Sequence, residues 1–326
     1  MVMAAAYNGI LNINKPRGWT SHDVVARVRR LLSVRPAPDA HNTTSGQDHG
    51  SSPRNYHGTA RVGHAGTLDP LATGVLLVCV GQATRLAEYL MAGEKTYRAA
   101  LELGVETDTY DVDGDVVATA SVPPLERQDL ERALAVFTGQ ILQTPPPYSA
   151  VKQEGVPAYR RARRGEIVQL APRKVVIHRI ELLEWHSPHL SIEVICDPGT
   201  YIRSLSYDLG QALGCGAVLT DLIRLRSGSF TLDTTITPDE LAVAVEAGQL
   251  AQHLLPLATA LGALTQVLID SASSERLVNG QPISAPVVPE GPLGYAVEPD
   301  GSVRAILAHD PEAGLWRPKK VFTPGQ

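Results

Sequence analysis

The sequence lacks several features that would each assign it to a particular class of protein. Its 326 residues contain no run of about eighteen apolar residues, so no membrane-spanning helix is predicted. The first residues have neither the basic start nor the long apolar core of a secretory signal peptide, and a cytoplasmic protein is therefore expected. Only three cysteines occur (Cys79, Cys196 and Cys215), without a C-x-x-C pair, which excludes a disulfide framework and favours reduced thiols.

The sequence also lacks an excess of positive charge. The formal net charge is −5, whereas proteins that bind nucleic acid usually present a basic surface. The charge is unevenly distributed, however, because the segment from Lys152 to Arg179 contains eight basic and only two acidic residues. Local charge attracts phosphate groups whatever the total charge is. This segment is therefore either an ordinary solvated face or an RNA-binding surface. The candidate contacts with an RNA backbone are Lys152, Arg160, Arg161, Arg163 and Arg164.

Residues 34–59 contain almost no apolar side chains and are rich in Pro, Ser, Thr, Asn, Gly and His. Such a segment cannot bury enough surface to offset the entropy lost on ordering, so it is predicted to be a disordered or mobile surface insertion. Its three histidines (His41, His49 and His57) are irregularly spaced, which disfavours a metal site.

The periodicity of apolar residues predicts an α+β protein. Alternating or continuous apolar runs predict strands at residues 10–13, 75–80, 96–103, 175–185 and 190–196. Apolar residues three or four positions apart predict helices at residues 21–32, 84–91, 125–137 and 201–213. Strands and helices follow one another without regular βαβ alternation. A stretch of small residues at 258–263 predicts a linker, so we predict a domain of residues 1–258 and a small all-β module of residues 263–326.

An acidic loop lies between residues 108 and 115. Asp113-Gly114 predicts a two-residue hairpin turn that leads into Val116. The loop superficially resembles a calcium-binding EF-hand. If Gly114 is placed at the sixth position of that motif, Thr109 and Ala120 occupy the first and twelfth positions, where carboxylates are required. A calcium site is therefore excluded.

The densest chemical signal is the segment from Gly63 to Gly74, which reads GHAGTLDPLATG and runs directly into the predicted buried strand at Val75. Glycines and a proline surround a single carboxylate, Asp69. An Asp-Pro pair is common in ordinary turns, so a loop anchored by its own aspartate is one interpretation. The other interpretation is catalytic, since loops on rigid scaffolds often carry catalytic groups.

Two further positions have chemistry that would complement such a carboxylate. Arg203 follows Gly199-Thr200-Tyr201, between a predicted strand and a predicted helix. It is either a surface residue or a bidentate partner of a carboxylate, and an opposite charge favours the ionised form of an acid. Tyr97 begins a half-buried strand. It is either part of the core or a stacking platform for a base, a contact worth about 1–3 kcal/mol.

Together these motifs resemble the TruB-type pseudouridine synthases. The segment from Gly63 to Gly74 is similar to the family signature G-H-x-G-x-L-D-P-x-A-T-G, and the other motifs occur in the family order. They are Asn14 to Ser21, Lys95 to Arg98, Thr107 to Asp111, Pro146 to Lys152, Gly199 to Arg203 and Leu222 to Arg226. Leu277 to Gln281 resembles the start of an appended PUA-like module. The polar segment at 34–59 departs from the family pattern, which passes quickly from the first helix to the signature loop.

The resemblance implies a fold and an activity. The fold is the pseudouridine synthase fold, a central mixed and mainly antiparallel sheet flanked by helices and loops, with a small PUA-like β module at the C-terminal end. The activity is the isomerisation of uridine 55 in the T-loop of tRNA to pseudouridine, by base flipping and without a cofactor or a metal. The expected partner is the T-arm of tRNA, and the protein is expected to be a monomer.

The resemblance also implies roles for the matched residues. Asp69 is the catalytic carboxylate, and Arg203 is its partner. Tyr97 stacks on the target base. Tyr201 and Leu225 line the uracil pocket. The remaining two residues act around the site: His64 presses into the RNA where the nucleotide leaves, and Lys15 supports the loop. Two chemical routes stay open, a covalent attack by Asp69 and removal of a ribose proton that gives a glycal-like intermediate.

Two alternatives remain. The first is a guide-RNA-dependent enzyme of the same family, disfavoured because the C-terminal module is short and no long lysine-rich tail is seen. The second is a protein that binds or folds RNA without catalysis. Binding alone does not require Asp69 with Tyr97 and Arg203, and that disfavours the second alternative.

Overall fold

The computed structural model describes residues 7–33, 61–153, 155–166 and 168–322. The insertion predicted at 34–59 lies outside the described residues. The strands are β1 (Gly9–Lys15), β2 (Val62–Ala65), β3 (Thr73–Val80), β4 (Lys95–Leu103), β5 (Val105–Thr107), β6 (Val116–Thr119), β7 (Gly139–Gln143), β8 (Lys152–Gln153), β9 (Val156–Pro157), β10 (Arg173–His186), β11 (His189–Cys196), β12 (Ala217–Ser227), β13 (Phe230–Thr231), β14 (Thr265–Leu268), β15 (Leu293–Val297), β16 (Val303–Asp310) and β17 (Leu315–Val321).

The α-helices are α1 (Ser21–Ser33), α2 (Ala87–Ala92), α3 (Arg127–Ala135), α4 (Ala158–Ala162), α5 (Ile202–Leu213), α6 (Pro238–Glu246), α7 (Leu250–His253) and α8 (Ser271–Val278). Short 3₁₀ helices cover Gly81–Leu86, Leu232–Thr234 and Leu257–Leu261. None of these described helices is long and apolar enough to span a membrane.

The main sheet has nine strands, in the order β1-β3-β12-β4-β11-β10-β7, with β2 paired to β3 and β13 paired to β12. Only the β3–β12 pair is parallel in this sheet, and the other pairs are antiparallel. The predicted α+β class with a mixed, mainly antiparallel sheet is therefore confirmed. Residues 66–72, which connect β2 to β3 and contain Asp69, are called the Asp69 loop. The β3–β12 pair places the end of this loop beside the strand that carries Leu225.

Strand β3 is buried on both faces of the sheet. Its residues from Gly74 to Val80 are all buried, as the continuous apolar run predicts. Leu76, Val78 and Val80 join the main core, to which α1, α3 and α5 contribute apolar residues. Val75, Leu77 and Cys79 join a second cluster, on the other face, with residues around α2. The loop before β3 is thus anchored on a strand that cannot shift without disturbing two cores.

Strand β4 follows the predicted alternation. Tyr97, Ala99, Leu101 and Leu103 point into the main core, whereas Arg98 between them is exposed. Tyr97 lies opposite both Val194 of β11 and Arg224 of β12. The register therefore places the predicted stacking residue in the centre of the sheet, two strands from the Asp69 loop.

Two local predictions were wrong. The register pairs Thr107 with Val116, so β5 and β6 are joined by residues 108–115 and not by a two-residue turn at Asp113-Gly114. Tyr110 has a positive φ of 66°, and its ring stacks on Tyr207 with 4.1 Å between centroids. Asp108 accepts a hydrogen bond from the Asp115 amide and holds the wide loop closed. In addition, the helix predicted at 84–91 begins as a 3₁₀ helix and becomes α-helical only at Ala87.

The C-terminal residues form a separate four-stranded sheet, in the order β14-β15-β16-β17, with α8 against it. The prediction of an all-β module therefore missed one helix. The segment predicted as a linker forms the 3₁₀ helix Leu257–Leu261, and Leu261 is buried in a cluster with Leu86, Tyr295 and Phe322. The boundary between residues 258 and 263 stays a prediction, but the two parts share this apolar cluster.

Candidate active site

The Asp69 loop connects β2 and β3 and is bonded to the start of α1. The Ser21 hydroxyl accepts a hydrogen bond from the Leu68 amide at 2.9 Å and donates one to the Leu68 carbonyl at 3.1 Å. The Gly18 amide donates to the Pro70 carbonyl at 2.8 Å, and the Ala72 amide donates to the Asp69 carbonyl at 3.1 Å. The backbone on both sides of Asp69 is therefore fixed, and its carboxylate has a defined position.

The Asp69 carboxylate forms a bidentate pair with Arg203. Arg203 Nε donates to one carboxylate oxygen and one of its terminal nitrogens to the other, each at 3.0 Å. The same guanidinium donates to the backbone carbonyls of Thr109 and Tyr148, both at 3.0 Å. The Arg203 side chain is 5% exposed and that of Asp69 is 33% exposed, so the arginine is locked while the acid remains accessible. Such a pair fixes the orientation of a carboxylate.

A second carboxylate, Asp111, also contacts Arg203. Its oxygen lies 3.5 Å from Arg203 Nε, and its side chain is only 7% exposed. Burial raises the pKa of Asp111, and the Thr109 hydroxyl and the Arg203 charge oppose that rise. Asp111 was missed as a site residue, although the motif that contains it was recognised, because the acidic loop was interpreted as a hairpin turn. Arg203 thus contacts both an accessible acid and a buried one.

Lys15 is hydrogen-bonded to the Asp69 loop through its ammonium group. It is completely buried, and its ammonium donates to the carbonyls of Pro16, Trp19 and Pro70 at 2.9, 2.6 and 3.2 Å. Burial lowers the pKa of Lys15 to about 8, and the nearby Asp69 carboxylate opposes that change. The contact with Pro70, directly after Asp69, is what the predicted supporting role requires.

Tyr97 and Tyr201 lie within the electrostatic reach of Asp69. Burial is the main cause that raises the pKa of each phenol, and the Asp69 charge raises both further. The side-chain amide of Gln143 accepts from the Tyr201 backbone amide at 2.8 Å and donates to its carbonyl at 3.0 Å. The structure therefore brings Asp69, Arg203, Tyr97 and Tyr201 into one neighbourhood.

Leu225 and His64 lie at the edges of this neighbourhood. Leu225 is at a bulge in β12, between Arg224 opposite Tyr97 and Arg226 opposite Thr96. The His64 ring is in edge-to-face contact with His22, with 5.3 Å between centroids. Burial lowers the pKa of His64, and the charges of His22 and Arg224 lower it further. His64 is therefore biased towards its neutral form.

The predicted RNA-backbone residues lie on and around α4. Arg160 and Arg163 lie over the ring of Tyr159, 5.9 and 5.7 Å from its centroid. The Tyr159 amide donates to the Ser149 carbonyl at 3.0 Å, next to the Tyr148 carbonyl that Arg203 binds. Lys152 on β8 and Arg164 are exposed, and Arg161 pairs with Glu166 at 2.7 Å. The basic segment thus begins beside the site.

No group of three or more His, Cys, Asp or Glu side chains suited to hold a metal ion occurs among the residues that the structure describes. The arrangement offers instead one accessible acid with a fixed guanidinium partner, and tyrosine rings near it. These groups can position a nucleobase and act on its sugar by nucleophilic or base chemistry.

Comparison with known proteins identifies the family. Residues 54–202 match the family model described as TruB family pseudouridylate synthase (N terminal domain), and residues 203–262 match the tRNA pseudouridylate synthase B C-terminal domain. The tRNA pseudouridine synthase B of Dehalococcoides mccartyi (strain BAV1) is 44% identical over 97% of this chain and 96% of its own length. The protein of the same name from Xanthomonas campestris pv. campestris (strain 8004) is 39% identical over 97% of this chain and 94% of its own. The chain belongs to the TruB family of pseudouridine synthases.

Solved structures give the same fold. A Cbf5-Nop10-Gar1 complex contains a chain that is 25% identical, with a TM-score of 0.70 over 97% of this chain and 85% of that one. An H/ACA RNP bound to a substrate RNA containing 2′-deoxyuridine contains one that is 24% identical, with a TM-score of 0.69 over 98% of this chain and 86% of that one. The family, the fold class and the enzyme class predicted from the sequence are confirmed.

Proposed function

We propose that this chain isomerises uridine 55 in the T-loop of tRNA to pseudouridine, with Asp69 as the carboxylate that acts on the nucleotide. The observation that carries the proposal is the bidentate Asp69–Arg203 pair beside Tyr97 and Tyr201. The relatives at 39–44% identity, each named tRNA pseudouridine synthase B, supply the substrate class.

The reaction breaks the bond from ribose C1′ to uracil N1 and forms a bond from C1′ to C5. The C5 hydrogen is lost and N1 gains a proton, so atoms and electrons balance within the nucleotide and water. Asp69 acts either as a nucleophile or as a base that removes a ribose proton. In either route Arg203 keeps both carboxylate oxygens oriented, and the accessible part of Asp69 faces the nucleotide.

The target base must first leave the folded RNA loop, which costs a few kcal/mol. We assign stacking on the base to Tyr97, and contacts around the uracil to Tyr201 and Leu225. His64 is assigned to the space that the nucleotide leaves, where a neutral imidazole is less costly to bury than an imidazolium. The walls formed by these side chains would also keep water from the detached base.

The basic side chains around α4 are assigned to the RNA backbone. Arg160, Arg163, Arg164 and Lys152 would bind phosphates near the T-loop, with Arg161 held by Glu166 as part of the same surface. The division into a catalytic domain of residues 1–258 and an RNA-binding, PUA-like module of residues 263–326 belongs to this proposal. We also propose that the protein is a monomer and that it acts on tRNA in the cytoplasm.

We further propose that catalysis requires no guide RNA. The structures that share the fold come from guide-RNA-type complexes, but at 24–25% identity, whereas the relatives named for tRNA are far more similar and align over nearly the full length. An enzyme that works alone must recognise its RNA through its own surface. The basic residues between Lys152 and Arg164, called the α4 segment, provide such a surface.

The test uses the purified full chain and a T-arm stem-loop transcript with tritium at C5 of uridine. Release of tritium to water without any guide RNA is the expected result, because forming the bond from C1′ to C5 expels that hydrogen. A transcript with cytidine at position 55 is the control and should release none. Binding of the transcript without tritium release would favour a non-catalytic RNA-binding protein. Release only after addition of a guide RNA would favour the guide-dependent enzyme.

A further inference from the structure

Strand β12 carries two arginines, Arg224 and Arg226, on either side of Leu225. The bulge between them gives the two side chains different surroundings. Arg224 is 1% exposed, whereas the Arg226 side chain is 38% exposed and pairs with Glu94. A fully buried arginine is costly unless its donors are satisfied. The groups that satisfy Arg224 therefore indicate what it does.

Arg224 donates hydrogen bonds to three backbone carbonyls at the two ends of the Asp69 loop. Its Nε donates to the Val75 carbonyl at 2.6 Å, after the loop. Its terminal nitrogens donate to the carbonyls of Gly66 at 3.0 Å and Thr67 at 3.4 Å, before the loop reaches Asp69. No carboxylate lies within ion-pairing distance of Arg224 among the described residues. One planar guanidinium thus ties the segment before Asp69 to the strand after it.

The backbone of Arg224 is joined to the same loop. It lies opposite Gly74 in the parallel β3–β12 pair. Gly74 has a φ of +96°, and a Cβ at that position would lie 2.3 Å from the Arg224 carbonyl oxygen. A Cβ on Gly66, whose φ is +93°, would lie 3.6 Å from an Arg224 nitrogen. Glycine at position 74 therefore allows the close approach that brings the guanidinium to the loop carbonyls.

Arg224 also connects the loop to the residues assigned to the base. Its backbone is paired with Tyr97. Burial raises the pKa of Tyr97, and the Arg224 charge opposes that rise. Burial lowers the pKa of His64, and the Arg224 charge lowers it further. Leu225 is the next residue along β12. A shift of this one side chain would move the acid and the base-contacting residues relative to one another.

We propose that Arg224 is a positioning residue that sets the location of Asp69 relative to the bound base by bridging both ends of the Asp69 loop. This inference rests on the proposed role of Asp69. Arg203 orients the carboxylate itself, and Lys15 fixes the backbone after it. Arg224 determines where the loop that carries the carboxylate lies against β12.

The test compares Arg224→Lys with Arg226→Lys under single-turnover conditions, with enzyme in excess over the T-arm transcript. An ammonium keeps the charge but cannot reach three carbonyls in the plane of a guanidinium. We expect the rate with Arg224→Lys to fall about 100-fold, the scale of an error of about 1 Å in placing a reacting group. The reaction should still go to completion, and the Kd for the transcript should stay within about threefold. Arg226→Lys should react at the wild-type rate.

The rate at saturating enzyme, measured beside the binding stoichiometry, separates a positioning role from a general structural role. A variant that is partly misfolded would bind less transcript per mole of protein but would react at the wild-type rate once its folded fraction is in excess, and this result would overturn the proposal. An unchanged rate with full amplitude would overturn it as well.

Hydrogen exchange gives a second readout that does not depend on catalysis. Amides of residues 66–75 should exchange faster in Arg224→Lys, while those of β10 and β11 should be unchanged. Unchanged exchange in the loop would overturn the proposal. If the wild-type chain released no tritium from the transcript, the proposed function would fail, and the exchange measurement would still decide whether Arg224 holds the loop.

Discussion

The Asp69 loop and the α4 segment both depend on positive charge, but they use it in opposite ways. Around the loop, Lys15, Arg203 and Arg224 are buried, and their donors bond to carbonyls and carboxylates. Around α4, Arg160 and Arg164 are exposed. Buried cations fix geometry through short, directional bonds, whereas exposed cations act over longer distances and are screened by salt. Residue type alone therefore does not distinguish a structural cation from a binding one.

The strongest test of the loop as the reactive region is Asp69→Asn. The amide cannot act as a nucleophile or as a base, so we expect the rate of tritium release to fall at least on the order of a thousandfold. The Kd for the transcript should stay within a few-fold, because Asp69 is not among the phosphate-binding groups. Asp233→Asn, at an exposed position, is the matched control. Turnover near the wild-type rate would remove Asp69 from the mechanism.

Arg203→Lys tests whether the geometry of a buried cation matters beyond its charge. The ammonium cannot make the two parallel bonds to Asp69 together with those to the Thr109 and Tyr148 carbonyls, so we expect a loss of about 100-fold in kcat with little change in transcript binding. Arg179→Lys, in an exposed pair with Glu181, should behave as wild type. Equal kcat values for the two variants would show that only the charge is needed.

Asp208→Asn extends the comparison to a half-buried anion on α5. Burial raises the pKa of Asp208 to about 6, above its unfolded value, so the folded state favours the protonated acid. Stability from this group is present at low pH and is lost as pH rises towards 6. The amide does not ionise, and we expect Asp208→Asn to raise the free energy of unfolding by about 1–2 kcal/mol at pH 7.5 and by less at pH 5. Denaturant unfolding at both pH values checks this, with Asp233→Asn as the control. A gain that is larger at pH 5 would contradict the expected direction.

The smallest effect is expected from the exposed arginines around α4, and it concerns transcript binding. The double variant Arg163→Gln, Arg164→Gln should weaken transcript binding several-fold and reduce the slope of log Kd against log salt by about one unit per lost contact. Arg161 is left intact because it is already paired with Glu166. Arg132→Gln, on α3 with its side chain 77% exposed, is the control for loss of charge elsewhere. An unchanged slope would mean that the α4 segment is only a solvated face.

The buried strand β3 and the Asp69 loop could be predicted because each is a compact local pattern, whereas the pairing of Asp69 with Arg203, 134 positions away, was implied by the family resemblance. Asp69 lies in a loop of unusual composition, and residues 75–80 form a continuous apolar run. Asp111 and Arg224 were missed as site residues, although each lies within a recognised motif. Their importance comes from contacts with residues far along the chain: Asp111 meets Arg203, and Arg224 meets Gly66. Local periodicity carries no information on such pairs.

The wide loop between β5 and β6 shows the same limit. Asp113-Gly114 has the composition of a tight turn, but the stacking of Tyr110 on Tyr207 and the contact of Asp111 with Arg203 favour a longer loop. Tertiary contacts outweighed the local turn preference. The same contacts brought the second carboxylate to the site.

The apolar cluster that Leu86, Leu261 and Phe322 share joins the C-terminal sheet to the residues just before α2. The Lys320–Glu88 ion pair adds a polar contact between the same two parts. Loss of this cluster would therefore expose apolar surface on both sides of the boundary at once, so the two parts depend on each other for burial.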